Sequence, residues 1–301
     1  MSSLAAKMLA LSCLGATPAC LTFHEGHPVG APEGSRFVEV EGVRMRIAES
    51  GSGPAVILIH GFASSLETWD LVVPALEGYR VVTLDLAGFG YSDRKEGHYY
   101  TPEGEARLVL GIMEQLGIES AAIVAHSWGC SVALALALAA PEKVDRLVLY
   151  DAWVYTEQLP SFFHWARLPV VGEVLFALFY DQLADERLSL GFYKPEDVPE
   201  ALVEKVDEAL RRPGTFAAAL EASRGQEFER LEKKYSKVQA PLLLLWGRED
   251  RVSTVPVAER LSSEVRGSRL VIYPRTGHFP MLERAEASNR DLLAFLSGAM
   301  P

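Results

Sequence analysis

The sequence predicts an α/β fold: a mostly parallel sheet covered by helices on both faces, with a helical insertion. Three observations carry this. Short continuous apolar runs recur at 55–59, 81–84, 122–124, 147–149, 242–245 and 270–272. Strands read this way when both of their faces are buried. Helix-forming stretches lie between them, as at 103–116 and 255–264, and that alternation gives parallel neighbours joined by crossover helices. From about 153 to 235 the alternation stops, and aromatic-rich helical patterns replace the strands.

The elements follow in order. Residues 25–36, with Gly26, Pro28, Gly30, Pro32 and Gly34, read as a linker. Residues 37–40 and 43–47 alternate apolar and polar around Glu41-Gly42, which is a two-stranded hairpin. After Gly51-Ser52-Gly53-Pro54 the buried strands begin. The predicted organisation is an N-terminal extension and linker at 1–35, a core at 36–152 and 236–301, and a helical cap or lid at 153–235. The cap leaves the chain just after a strand end, so it is expected over the carboxyl edge of the sheet, where α/β proteins bind ligands. No internal repeat or low-complexity tract interrupts this order.

The first 23 residues stand apart. Residues 8–23 are mostly apolar, with Lys7 before them and Thr17-Pro18-Ala19 near their end. They read as a secretory signal or short membrane anchor, or as an extension that packs on the body. The run is short for a spanning helix and is broken by Pro18. The first reading makes the protein exported or envelope-associated, with membrane contact through this segment. The second makes it cytoplasmic.

The chain of 301 residues allows a sizeable core. Its net charge of −11, with no basic run, argues against nonspecific nucleic-acid binding. Cys13, Cys20 and Cys130 have no metal-site spacing, and the seven histidines form no H-E-x-x-H motif. No catalytic metal and no other cofactor is expected.

Chemistry concentrates at three strand ends. Ala125-His126-Ser127-Trp128-Gly129 follows the apolar run 121–124 and precedes an alanine-rich helical run. A strand, an abrupt turn and a helix with a serine at the apex put that serine in a strained conformation. The residues two before and two after it must then be small. Its hydroxyl emerges at the carboxyl edge, beside the first amides of the following helix. A serine needs a base, and the base an orienting group. Asp250 lies in the loop leaving the strand 242–245, and His278 in the loop leaving 270–272. Either residue alone is explained by a turn or a solvated loop. With the serine turn, the order Ser, Asp, His on three strand-end loops reads as a catalytic set.

Across residues 37–296 the chain resembles α/β-hydrolase fold serine hydrolases. The resemblance rests on His60-Gly61-Phe62, on the D-x-x-G-x-G-x-S loop from Asp85 to Ser92, on the serine turn, on the Gly247-to-Asp250 loop and on Gly277-His278. It implies Ser127 as nucleophile, His278 as base and then acid, and Asp250 as orienter. It also implies an oxyanion hole from the backbone N–H groups of Phe62 and Trp128. The Trp128 assignment follows as well from its place at the start of a helix. His60 reads as structural. His126 reads as packing or pocket lining, together with Trp153, Phe162, Trp165, Phe176 and Phe279. Two departures stand out: Ala125 replaces the usual first glycine, and Phe279 stands where carbon–carbon hydrolases of the meta-cleavage type typically carry tryptophan. Serine at the nucleophile position disfavours haloalkane dehalogenase and epoxide hydrolase readings, which use aspartate there. Asp151 also ends a strand and is the alternative triad acid.

The expected activity is hydrolysis of a small hydrophobic carboxylic ester through an acyl-enzyme on Ser127. The alternatives are meta-cleavage carbon–carbon hydrolysis, lactonase, amidase or perhydrolase activity, and a noncatalytic binding protein on the same fold.

Overall fold

A computed structural model describes residues 21–179 and 184–299. The signal-or-anchor reading therefore falls almost wholly outside the described residues. Among the described residues no helix is long and apolar enough to cross a membrane.

Eight strands form one sheet: β1 (Arg36–Val40), β2 (Val43–Ser50), β3 (Ala55–Ile59), β4 (Arg80–Leu84), β5 (Ala121–His126), β6 (Val144–Tyr150), β7 (Leu242–Gly247) and β8 (Arg269–Tyr273). Their spatial order is β1-β2-β4-β3-β5-β6-β7-β8. The predicted hairpin is β1–β2, antiparallel, and β2 also runs antiparallel to β4. Its turn places both Glu41 and Gly42 at positive φ, the backbone of a type I′ turn that matches strand twist. All later pairings are parallel.

The apolar runs serve two cores because side chains alternate across the sheet. Ile57, Ile59, Ile123, Ala125, Leu147, Leu149, Leu242 and Leu244 face one cluster. The intervening Val56, Leu58, Ala122, Val124, Val148, Leu243 and Leu245 face the other. The first face is covered by α1 (Pro102–Gln115) and α2 (Trp128–Ala139). Every residue of α2 from Trp128 to Ala137 is buried, which explains its unbroken apolar sequence. The N-terminus of α1 is capped by the Thr101 hydroxyl, which accepts from the Gly104 N–H at 3.0 Å. Leu244 is fully buried in the centre of this layer. Leu244→Ala should lower the unfolding free energy by about 2–5 kcal/mol, read from the shift in a urea midpoint.

Between β6 and β7 the chain is helical. It carries α3 (Ser161–Ala166), α4 (Val171–Phe179), α5 (Ala184–Gly191), α6 (Glu200–Leu210), α7 (Thr215–Arg224) and α8 (Glu229–Glu232). Then α9 (Val255–Glu264) follows β7, and α10 (Pro280–Glu283) and α11 (Ala285–Leu296) follow β8. Leu292 and Phe295 of α11 cover the second face of the sheet.

Strand β3 is flanked by β4 on one side and β5 on the other, so the winding direction reverses beside it. In such a sheet the crevice outside the carboxyl ends at this reversal is the place for a ligand.

Candidate active site

The three strand-end residues meet at that crevice. Ser127 joins β5 to α2 with φ 49° and ψ −121°, a region that non-glycine residues adopt only under constraint. Close packing supplies the constraint. A Cβ on Gly129 would lie 2.5 Å from the His60 carbonyl oxygen, and one on Gly61 would lie 3.0 Å from Ser127 Cβ. The Ser127 N–H donates to the Tyr150 carbonyl at 3.0 Å. Trp128 opens α2, so its N–H has no acceptor within the helix. Ser127, Trp128, Phe62 and His278 all border one cavity.

Asp250 and His278 come together because the β7–β8 ladder continues past the strands. Arg248 N–H donates to Tyr273 O at 2.9 Å and Glu249 N–H to Thr276 O at 3.0 Å. A Cβ on Gly247 would lie 1.8 Å from the Gly277 carbonyl, so this approach requires glycine. The result is a 2.8 Å bond between His278 Nδ1 and Asp250 Oδ2. The other Asp250 oxygen accepts the N–H groups of Val252 at 2.7 Å and Ser253 at 3.0 Å. Two backbone donors and an imidazole fix the carboxylate in place. Glu283, which the sequence reading did not single out, accepts from Gly277 N–H at 2.9 Å and so steadies the histidine loop.

Asp151 lies beside this pair. Its Oδ1 accepts from Gly247 N–H at 2.9 Å. Ligand atoms of Asp151, Asp250 and His278 lie within 4.8 Å of one another. Burial first, and the Asp250 charge second, push the Asp151 carboxyl well above the usual carboxylate range. Its Oδ2 is buried and receives no hydrogen bond from any donor group among the described residues. A proton on Asp151 resolves this, because a neutral carboxyl donates to Asp250. By proximity the three residues are a candidate metal cluster, but backbone N–H groups and the imidazole already engage most of their oxygens. The set reads better as a hydrogen-bonded acid–carboxylate–imidazole chain.

His126 is not among the residues that border the cavity, although its ring packs against those of His278 and Phe279. Its Nε2 meets the His278 carbonyl at 2.8 Å, and its Nδ1 has no partner among the described residues. Burial holds its pKa well below the ordinary value, so the ring is neutral and donates from Nε2. It supports the backbone of His278 rather than lining the pocket. His60 is fully buried, with its pKa pushed down to about 4 by that burial. It accepts from Leu86 N–H at 2.9 Å and donates to Gly61 O at 2.7 Å, tying the Phe62 loop to the loop that starts at Asp85.

The cavity measures about 280 Å³. Of the aromatic pocket candidates, Trp153 and Phe279 border it. The other aromatic candidates sit elsewhere. Phe176 is fully buried against Ala166, Ala219 and Leu220, with Phe162 5.2 Å from it, centroid to centroid. Trp165 is 56% exposed. Phe163, one residue from Phe162, lines the cavity instead, with Leu188, Val206, Leu210, Gln226 and Val252. On α3 successive residues turn by about 100°, and composition alone does not tell which aromatic face turns inward. Val206 and Leu210 carry a usable signal, a spacing of four on α6.

A family model for the α/β hydrolase fold matches residues 54–192. A 2-hydroxy-6-oxononadienedioate/2-hydroxy-6-oxononatrienedioate hydrolase of Klebsiella pneumoniae is 31% identical over 285 residues, 88% of this chain and 96% of that protein. The chain belongs to the α/β-hydrolase family. A second relative of this hydrolase is the 2-hydroxymuconate semialdehyde hydrolase of a Pseudomonas species, 30% identical over 86% of this chain and 92% of that protein. Among solved structures, a meta-cleavage product hydrolase from Pseudomonas fluorescens superposes with a TM-score of 0.74 at 28% identity, covering 88% of this hydrolase and 98% of that chain.

Proposed function

We propose that this hydrolase cleaves uncharged, apolar carboxylic esters through an acyl-enzyme on Ser127. The observation that carries the reading is the wall of the cavity. Its described lining residues are aromatic and aliphatic apart from Ser127, His278 and Gln226, and no lysine or arginine is among them. An anionic substrate would lose its hydration there without gaining a counter-charge. A neutral ester loses little.

In this reading His278 takes the Ser127 proton as Oγ attacks the ester carbonyl. The N–H groups of Trp128 and Phe62 hold the oxyanion. Asp250 keeps the imidazole in the tautomer with Nδ1 protonated and stabilises the imidazolium. His278 then protonates the leaving alcohol, activates water against the acyl-enzyme, and returns its proton to Ser127.

The relatives favour a second reading, carbon–carbon hydrolysis, because two of them are named for oxo-dienoate or semialdehyde substrates and a third for a meta-cleavage product. The dienedioate of the Klebsiella protein's name is a dianion, which fits poorly with a cavity whose described lining residues include no lysine or arginine. Purified protein assayed against p-nitrophenyl esters of graded length and against that dienedioate separates the two. Ester turnover well above dienedioate turnover supports the ester reading. Cleavage of the dienedioate alone replaces it.

Substrate length should register in the same assay. Each methylene buried gains up to about 0.8 kcal/mol, roughly fourfold in kcat/KM, until the cavity is full. Phe163→Ala enlarges the cavity and should move the optimum to longer acyl chains. Trp165→Ala, on the exposed side of α3, should leave it where it is. If both variants keep the parent profile, the cap does not set chain length.

A further inference from the structure

Gln226 is the one amide among the described residues that border the cavity. It follows α7 and is almost entirely buried, at 1% exposure. Both of its ends are held. Its backbone carbonyl accepts from Arg167 Nη2 at 2.7 Å. Its side-chain Oε1 accepts from Trp153 Nε1 at 2.8 Å. An indole N–H only donates, so it decides which end of the carboxamide is oxygen. The NH₂ therefore turns away from Trp153, and among the described residues no acceptor meets it. An amide donor bordering an apolar cavity finds its partner in water or in an oxygen of whatever occupies the cavity. An apolar occupant that displaces the water leaves it unpaired, which is costly.

We infer that Gln226 is a specificity-determining donor for an oxygen that the substrate carries away from its scissile carbonyl. This rests on the ester reading and narrows it. The preferred substrates are uncharged oxoacyl or hydroxyacyl esters, not plain alkyl esters. In the ester reading the scissile carbonyl has its own donors, the N–H groups of Phe62 and Trp128, whereas Gln226 borders the same cavity from the helical segment between β6 and β7. A site that donates to a substrate oxygen discriminates against the analogue lacking it, because the apolar analogue displaces water from the donor and gives no acceptor in return. The partner is neutral because an amide brings no charge to offset an anion's desolvation.

The test compares octanoate esters with 4-, 5-, 6- and 7-oxooctanoate esters. The readout is the ratio of kcat/KM, oxo over plain, so any general loss of activity cancels. The parent should prefer at least one oxo position by about tenfold. In Gln226→Met that ratio should fall to near one. Gln226→Glu keeps an acceptor for Trp153 but replaces the NH₂ with oxygen, and it should lose the preference too. Binding of the methyl esters of the same octanoic and oxooctanoic acids to Ser127→Ala, with and without Gln226→Met, is followed by tryptophan fluorescence and needs no turnover. If the parent hydrolyses no ester but Ser127→Ala binds an oxo ester in a Gln226-dependent way, the ester reading fails and this inference stands. No oxo preference in either assay, or the same preference in Gln226→Met, overturns it.

Discussion

Ser127→Ala should reduce hydrolysis to the background of a protein that only binds its substrate. In serine triads, loss of the nucleophile costs about 10⁶-fold in kcat. The substitution removes one oxygen from a residue that is 9% exposed, and alanine has no greater difficulty than serine at φ 49°. The melting temperature should therefore stay close to the parent's. An alkyl fluorophosphonate should label the parent at one residue and leave Ser127→Ala unmodified. Labelling that persists in the variant would put the nucleophile elsewhere. Loss of both activity and melting transition would mean that the substitution acted on the fold instead. The two outcomes separate cleanly because the backbone supports of the turn, Gly61, Gly129 and the Tyr150 carbonyl, do not involve the hydroxyl.

What could be read from the sequence was local in the chain. Buried parallel strands announce themselves because both faces are covered, and each run then alternates between two apolar layers rather than between oil and water. Ser127, Asp250 and His278 stand out because each lies in the connection leaving the carboxyl end of a strand, so strand direction alone sends them to one edge of the sheet. The pocket was harder. The inward-facing aromatic of α3 is Phe163, not Phe162 or Trp165, because short helices between strands take their orientation from distant partners. The role of His126 depends on a carbonyl 152 residues away. Gln226 follows a helix with no periodic pattern around it, and only its bond to Trp153 sets it apart. The position of β4 between β2 and β3 likewise comes from the crossover path, which no single run of residues records.

Asp250→Asn should cost far more activity than Asp151→Asn. An amide at 250 offers an N–H where His278 Nδ1 needs an acceptor, or else turns its N–H group into the donors of Val252 and Ser253. Either way the imidazole loses the partner that fixes its tautomer and stabilises its charged form, and the loss is about 10⁴-fold in kcat. Asp151 is in the opposite situation. In its protonated form, which burial and the Asp250 charge favour, it donates to Asp250 while its Oδ1 accepts from Gly247 N–H. Asparagine keeps both functions, with an amide N–H for the acid O–H and an amide oxygen for the carbonyl oxygen. Its activity should stay within about tenfold of the parent, in the range of one neutral hydrogen bond exchanged for another. Stability supplies an independent check. The unfolded chain releases the Asp151 proton above about pH 3.9, whereas the folded chain, with the carboxyl pushed well above the usual range, holds it to higher pH. The stability that Asp151 contributes is thus fully present below that pH and is lost as pH rises toward its folded value. Asparagine binds no proton, so the stability of Asp151→Asn relative to the parent should climb from about pH 4 toward neutrality. The slope has an upper bound of about 1.4 kcal/mol per pH unit, one proton's worth. Urea unfolding of both proteins at pH 4, 5, 6 and 7 measures it. Parallel stability curves would mean that Asp151 is ionised in the folded protein. An Asp151→Asn variant less active than Asp250→Asn would move the role of orienting acid to Asp151.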